Sequence, residues 1–309
     1  MKKILILILV LSIAEQLIAQ QLPMYSQYMN NRFLLNPAVA GSENCIPIRL
    51  TVRQQWVGIQ NAPSTQALSA HAKIANQKIG VGGYVFSDRF GIDSKTGFQA
   101  SFSYILPIRL FESELALGLS FMGFQYAFNS SDAKITDLND PTVSGTIESA
   151  FVPDANFGVY WHNNDFFVGL SANQLVEYKV QFSGLDATEN TLQRHFFLMG
   201  GYKFELSKSV ELEPSVMLKY VTSAPLNTDI NVKAIYNKNY WFGVSYRSGV
   251  PFNTGNSLVA MIGTKYKKFY IAYAYDYIFS NLGNYSSGNH EIMIGININE
   301  KTNRGSSLL

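Results

Sequence analysis

From Ile46 onward apolar and polar positions alternate with a period of two, the pattern of strands that present one apolar face. Ile292, Ile294, Ile296 and Ile298 oppose Glu291, Met293, Gly295 and Asn297. Leu115, Leu117, Leu119 and Phe121 oppose Ala116, Gly118, Ser120 and Met122. The alternation predicts about 14 strands, near 46–56, 64–74, 77–87, 95–106, 113–128, 153–162, 165–174, 193–206, 210–222, 227–237, 240–248, 255–266, 269–280 and 289–298. Each reaches the roughly 9–11 residues that a tilted strand needs to cross a bilayer, and the number is even, as in single-chain outer-membrane barrels.

The connections alternate in kind. Every second link is short: Ala75-Asn76, Pro107 to Glu112, Asn163-Asn164, Ser207 to Ser209, Lys238-Asn239 and Lys267-Lys268. The others are generally longer and polar, above all 129–152 and 175–192. Short periplasmic turns and longer outer loops are the arrangement of transmembrane barrels. Hydrocarbon offers no partner to free strand edges, so such a sheet must close on itself. The competing reading, a large periplasmic β-domain, has no reason to alternate its loops, and its strands are usually shorter. The expected fold is therefore all-β, a transmembrane antiparallel barrel with both ends on the short-turn side.

The N-terminus supports export. Lys2 and Lys3 precede the apolar run Ile4 to Leu11, and Leu17-Ile18-Ala19 supplies a small residue for cleavage. This is a secretory signal peptide over 1–19, too short to span a bilayer. Residues 20–45 form an extension, either a lumen plug or a periplasmic strap, and 46–309 the barrel. The extension is polar but carries Met24, Tyr25, Tyr28, Met29, Phe33, Leu34 and Leu35. So many apolar side chains need burial, which favours the plug.

Composition sharpens this picture. Only 15% of the 309 residues are charged and 14% are aromatic, with mean hydropathy +0.02, against roughly 25% charged in soluble domains. Tyr25, Tyr28, Tyr220, Tyr236, Tyr240, Tyr266, Tyr270, Tyr273, Tyr275, Tyr277 and Trp161 are candidates for aromatic girdles or lumen lining. A net charge of +2 without a basic block gives no footprint for nucleic acid. The single cysteine, Cys45, excludes a disulfide framework and is expected to be a quiet, partly buried thiol. His71, His162, His195 and His290 show no metal-binding spacing, and no catalytic motif, metal site or cofactor is expected.

The inward face carries both signs: Arg49, Arg53, Glu211, Glu213, Lys219, Asp229, Lys233, Arg247, Lys265, Asp276 and Glu291. A ring of one sign suggests an ion-selective pore, whereas mixed signs suit cross-strand pairs holding a packed interior. Gly80, Gly82, Gly83, Gly200 and Gly201 in strand interiors mark bends, bulges or close approach to a plug.

Several segments together resemble the PorP/SprF family, outer-membrane proteins of the type IX secretion and gliding system of the Bacteroidota. They are Tyr25-Ser26-Gln27-Tyr28-Met29, Leu35-Asn36-Pro37-Ala38 with Ala40-Gly41, Arg53-Gln54-Gln55-Trp56, Gly80-Val81-Gly82-Gly83 and Asp88-Arg89-Phe90-Gly91. Further along stand Pro153 to Tyr160, Glu213-Pro214-Ser215 before Lys219-Tyr220, and Asn289-His290-Glu291-Ile292. The resemblance implies a 14-stranded barrel, paired with a large secreted surface adhesin or other cargo carrying a C-terminal sorting domain. It also implies periplasmic type IX partners: an OmpA-like peptidoglycan-binding protein and the ring-forming K and N subunits. It implies no active-site residues.

Asn36-Pro37-Ala38 also resembles the Asn-Pro-Ala signature of FadL-type channels for small hydrophobic molecules, whose N-terminal segment plugs the lumen. Two functions follow as expectations. In the first, a non-enzymatic assembly and anchoring protein binds cargo through its long loops. Those loops carry Ile135, Leu138, Val143, Ile147, Phe151, Val176, Tyr178, Phe182 and Leu185, apolar for an outer position and suited to a protein interface. Equally, the loops fold over the mouth and bury these residues themselves. In the second function the barrel is a hydrophobic channel, although its inward faces read as polar.

Overall fold

A computed structural model describes residues 22–74, 78–129, 147–180, 191–222, 224–249 and 256–300. The signal peptide expected over 1–19 lies outside the described residues.

Fifteen strands form one antiparallel sheet. They are β1 (Ile46–Gln54), β2 (Ser64–Ile74), β3 (Ile79–Phe90), β4 (Asp93–Ile108), β5 (Ser113–Asn129), β6 (Ile147–His162), β7 (Phe166–Asn173) and β8 (His195–Tyr202). Then come β9 (Phe204–Ser207), β10 (Val210–Val221), β11 (Ala224–Tyr236), β12 (Tyr240–Gly249), β13 (Ser257–Tyr266), β14 (Phe269–Ile278) and β15 (Asn289–Ile298). β15 pairs with β1 and β10 with both β8 and β11, so 14 strands close a barrel, and β9 is the extra piece. β9 continues β8 in the same register on β10 beyond a break at Lys203, whose backbone N–H donates to the Asp165 carbonyl opposite it (2.6 Å). The single strand expected over 193–206 is therefore two.

The alternation maps onto lipid and lumen. On β1, Leu50 and Val52 face outward and are exposed, while Arg49, Thr51 and Arg53 are buried inside. Phe98, Phe102, Leu119, Phe121, Ile262 and Ile294 repeat the outward pattern. The solvent-like face of this sheet is its interior, and its apolar face meets hydrocarbon. Tyr236, Tyr240, Tyr266 and Phe269 stand exposed at the short-turn end of the wall, as an aromatic girdle does. Tyr220, Tyr273 and Tyr277 also face outward, whereas Tyr25, Tyr28 and Tyr270 are buried within.

One end carries the short turns expected. At the other, two links are as short as turns: residues 91–92 between β3 and β4, and 222–223 between β10 and β11. In the first, Gly91 takes φ +61, a conformation that costs glycine least. The wall is also taller than expected on one side, because β6 begins at Ile147 rather than near 153 and pairs with β5 out to Asn129. Residues 147–152 are thus strand, not loop.

β1 starts and β15 ends at the short-turn end, yet the chain enters from the opposite mouth. Leu22, Pro23 and Met24 border a recess with Trp56, Phe90 and Tyr126 at the long-loop end. From there the segment descends through the lumen in three single 3-10 turns, Tyr28–Asn30, Arg32–Leu34 and Pro37–Val39. It reaches the other end at Ala40, whose carbonyl accepts from the Ser103 hydroxyl (2.6 Å), and Gly41, whose N–H donates to His71 Nδ1 (3.2 Å). Met29, Phe33, Leu34, Leu35 and Val39 are buried by this path. Placing the N-terminal end on the short-turn side followed from strand parity, which says nothing of a segment that traverses the lumen.

Candidate functional site

The lumen segment is held by charge, by hydrogen bonds and by shape. All eleven charged residues singled out on the inner face point inward. Nine are buried, while the side chains of Lys219 and Lys265 are 15% and 11% exposed. Six form one chain across the lumen. Glu291 on β15 meets Arg53 on β1 (3.3 Å), and Arg53 meets Asp276 on β14 (3.0 Å). Asp276 meets Arg247 on β12 (3.4 Å), Arg247 meets Asp229 on β11 (3.2 Å), and Asp229 meets Lys219 on β10 (2.7 Å). Acids and bases alternate and balance, so each carboxylate is compensated and no ring of one sign faces the lumen. Such a chain crosslinks six strands, but it attracts neither anions nor cations from solution.

The segment docks on this chain. The backbone N–H groups of Ser26 and Gln27 donate to the Glu291 carboxylate (2.6 and 3.0 Å). The Ser26 hydroxyl accepts from Arg53 and donates to Asp276 (3.4 Å). Tyr28 accepts from Asn231 Nδ2 (2.6 Å) through its hydroxyl, and its ring lies 5.6 Å from the Lys219 ammonium. Charge-assisted bonds of this kind are about twice as strong as neutral ones.

Lower in the lumen the segment supplies its own charge. Arg32 pairs with Glu213 (2.6 Å), which also takes Lys233 (3.3 Å), and its guanidinium lies 3.7 Å over the Phe167 ring. Glu211 stands between Lys203 and Lys238 (4.0 and 3.9 Å). Arg49 donates to Asn297 (2.6 Å) and faces the Tyr270 ring, and Lys265 pairs with Glu300, the last described residue.

Asn36 and Pro37 lie directly on the wall. Asn36 Nδ2 donates to the carbonyls of Val159 on β6 (3.0 Å) and Leu170 on β7 (3.2 Å), while Oδ1 accepts from the Ala38 N–H (2.9 Å). A Cβ on Gly158 would strike Asn36, one on Gly118 would strike Ala38, and one on Gly80 would strike the Ala40 carbonyl. Gly82 similarly leaves room for Phe33. Of the five glycines marked as bends, bulges or points of close approach to a plug, only Gly80 and Gly82 meet the segment. Gly83 instead faces the Gln99 carbonyl, and Gly200 and Gly201 face Phe167. The contacts missed, Gly118 and Gly158, carried a usable signal: both are glycines at inward parity on strands otherwise rich in larger residues.

The loop residues divide. Ile135, Leu138, Val143, Phe182 and Leu185 lie outside the described residues. Ile147 and Phe151 stand on β6 with outward, exposed side chains, and Val176 and Tyr178 are exposed beyond β7. The two described stems of the link after β7 turn inward: Lys179 bridges Thr191, and Val180 and Leu192 are fully buried against Met122, Phe124 and Val152. Part of the mouth is therefore roofed by the protein itself. Among the described residues no group of three or more His, Cys, Asp and Glu is placed to hold a metal ion.

A plugged, charge-balanced outer-membrane barrel is a common framework, and the family decides what it serves. The family profile described as type IX secretion system membrane protein PorP/SprF matches residues 17–296. The chain belongs to the PorP/SprF family. It is thus an outer-membrane component of the type IX secretion system. No curated protein matches the PorP/SprF chain. Among solved structures, a FadL homologue of Pseudomonas aeruginosa aligns at TM-score 0.51 with 10% identity, over 91% of this chain and 95% of that one. The CymD monoaromatic hydrocarbon channel aligns at 0.47 with 13% identity, over 89% and 92%. Omp33 of Acinetobacter baumannii aligns at 0.45 with 10% identity, over 84% and 99%. At 10% identity the likeness to the FadL homologue is one of fold.

Proposed function

We propose that this PorP/SprF barrel is a non-enzymatic assembly and anchoring protein. In this role it exports or retains a large surface adhesin, or similar cargo, through the cargo's C-terminal sorting domain. Its short-turn end faces periplasmic type IX components, the OmpA-like peptidoglycan-binding protein and the ring-forming K and N subunits. The observation that carries this reading is the occupied lumen. With the segment from Tyr25 to Gly41 buried along the barrel axis and its polar groups bonded to the wall, the ends of the barrel are the surfaces left for work. The exposed Val176 and Tyr178 at the long-loop end suit a protein partner better than water.

One observation favours a second reading, a channel for small hydrophobic molecules. A cavity of about 230 Å³ lies between the N-terminal segment and β8, β10 and β11, lined by Leu22, Tyr25, Leu35, Phe197, Met217 and Val221.

Gentle purification of the C-terminally tagged barrel from outer membranes, followed by mass spectrometry, separates the two. A large secreted protein with a C-terminal sorting domain, together with ring components, is expected. A lone barrel carrying a small apolar ligand overturns the assembly reading and supports the channel.

A further inference from the structure

The lipid-facing wall is not smooth at its short-turn end. Strand register sets Tyr236, Tyr240, Thr264 and Ile271 side by side on the outer face of β11 to β14. Thr264 is the small member of that row, and Phe242 and Ile262 wall it in from the next one. A groove of about 550 Å³ opens there. It does not lead into the lumen. The Trp241 indole lies against the inner side of Gly263, where a Cβ would strike it, and stacks on Tyr270 at 4.5 Å.

Two cations stand at the rim beside this groove. Lys267 and Lys268 form the turn between β13 and β14. Their ammonium groups lie 5.5 Å from the Tyr266 ring and 5.6 Å from the Phe269 ring. Those two rings are exposed on the outer face and pair directly across the hairpin. Both charges are therefore held on the lipid side of the rim, by contact with the negative faces of the rings. Lys238 and Lys265, by contrast, turn to the lumen side, where they meet Glu211 and Glu300. Among the described residues no carboxylate pairs with Lys267 or Lys268, and residues 301–309 contain no Asp or Glu. Elsewhere the rim carries both signs, with Arg109 and Glu112 in one turn and Asp165 in the next.

The dimensions match a lipid. Thr264 lies two residues below Tyr266, about 7 Å along the strand, and the turn adds about one residue more. An apolar groove, then amphipathic rings, then ammonium groups is the order in which a glycerophospholipid presents its acyl chain, glycerol and phosphate. The short-turn end of such a barrel faces the periplasm, and the leaflet on that side of an outer membrane consists of glycerophospholipid.

The geometry points to a binding site for one anionic glycerophospholipid of the inner leaflet. One acyl chain lies in the groove over Thr264, and Lys267 and Lys268 hold the phosphate. Charge complementarity selects the anionic head. Two ammonium groups with no acid beside them attract a net negative lipid, whereas a zwitterion brings a cation of its own. The inference rests on the outer-membrane placement of the chain and is independent of the assembly reading.

Native mass spectrometry of the full-length barrel tests it, with release from detergent containing equal amounts of phosphatidylglycerol and phosphatidylethanolamine. The expected result is one retained lipid, predominantly phosphatidylglycerol. Lys267→Gln combined with Lys268→Gln should lower that preference about fivefold for each lysine removed. Arg109→Gln, in a turn far round the rim, should leave it unchanged. Thr264→Trp fills the groove while keeping both lysines, and should lose the retained lipid. Heat-modifiable gel mobility shows that each variant is folded. No preference in the wild type, a preference that survives the double lysine variant, or an equal loss in Arg109→Gln overturns the site. Unchanged lipid on a folded Thr264→Trp barrel overturns the groove as its seat. If Thr264→Trp does not fold, the lysine variants decide.

Discussion

Asn36 and Gly158 fit one another as a peg fits a slot. The asparagine amide lies where a β-carbon on residue 158 would stand, and from there it bonds to carbonyls of two neighbouring strands. A segment that must lie flat on a wall needs bare backbone opposite it, and this pair supplies the contact.

Gly158→Ala should therefore loosen the plug without opening the sheet. Overpacking of this kind costs about 1–3 kcal/mol. Faster proteolytic nicking of residues 22–41 in the purified barrel, at unchanged heat-modifiable mobility, is the expected result.

Asn36→Ala removes both wall bonds and the bond to the Ala38 N–H. The loss of these buried hydrogen bonds is expected to cost about 1–3 kcal/mol, read as a lower unfolding midpoint in detergent. Asn36→Asp, which keeps the acceptor for Ala38 but loses the donor to Val159 and Leu170, should be no better than alanine.

Arg53→Ala leaves the buried Glu291 without its ion-pair partner and Asp276 with Arg247 alone, and takes a partner from Ser26. Breaking a buried pair on one side costs about 3–5 kcal/mol. Adding Glu291→Gln to Arg53→Ala should recover part of the loss in a thermal unfolding series, since the carboxylate left without a cation is then neutral.

Deleting residues 22–41 should convert a closed barrel into a conducting one. Planar-bilayer recordings of the wild type should show little steady conductance. The deletion should open frequent steps with weak ion selectivity, because the exposed network balances its charges.

Cys45, just before β1, has its thiol pushed well above the ordinary range by burial, with the Glu43 carboxylate adding to the effect. A raised value keeps the sulfur protonated through neutral and mildly alkaline pH, and only the thiolate attacks alkylating agents. Iodoacetamide at pH 8 should therefore label the folded barrel far more slowly than the unfolded chain.

Much of the architecture was legible along the chain. The period of two, strong in runs such as Ile292 to Ile298, locates strands because a sheet between lipid and lumen must alternate its side chains. Inward charges such as Arg53, Asp229 and Glu291 could be named by parity alone. Their partners could not, because Arg53 meets Asp276 and Glu291 across more than 220 positions, and pairing at that distance depends on the barrel closing. The same holds for Ser26, Gln27 and Arg32, which look like ordinary polar residues of an extension until Glu291 and Glu213 stand opposite them.

By itself, the sequence determined that this is a membrane-spanning sheet of alternating strands, since alternation, strand length and turn chemistry are local properties that each segment carries alone. Tertiary structure decided the rest: that the N-terminal segment enters from the long-loop mouth, that glycines on β3, β5 and β6 make its track, and that β6 outgrows β7. Each depends on which surfaces meet once fourteen strands close into a ring, and closure is a relation among segments that no single segment encodes.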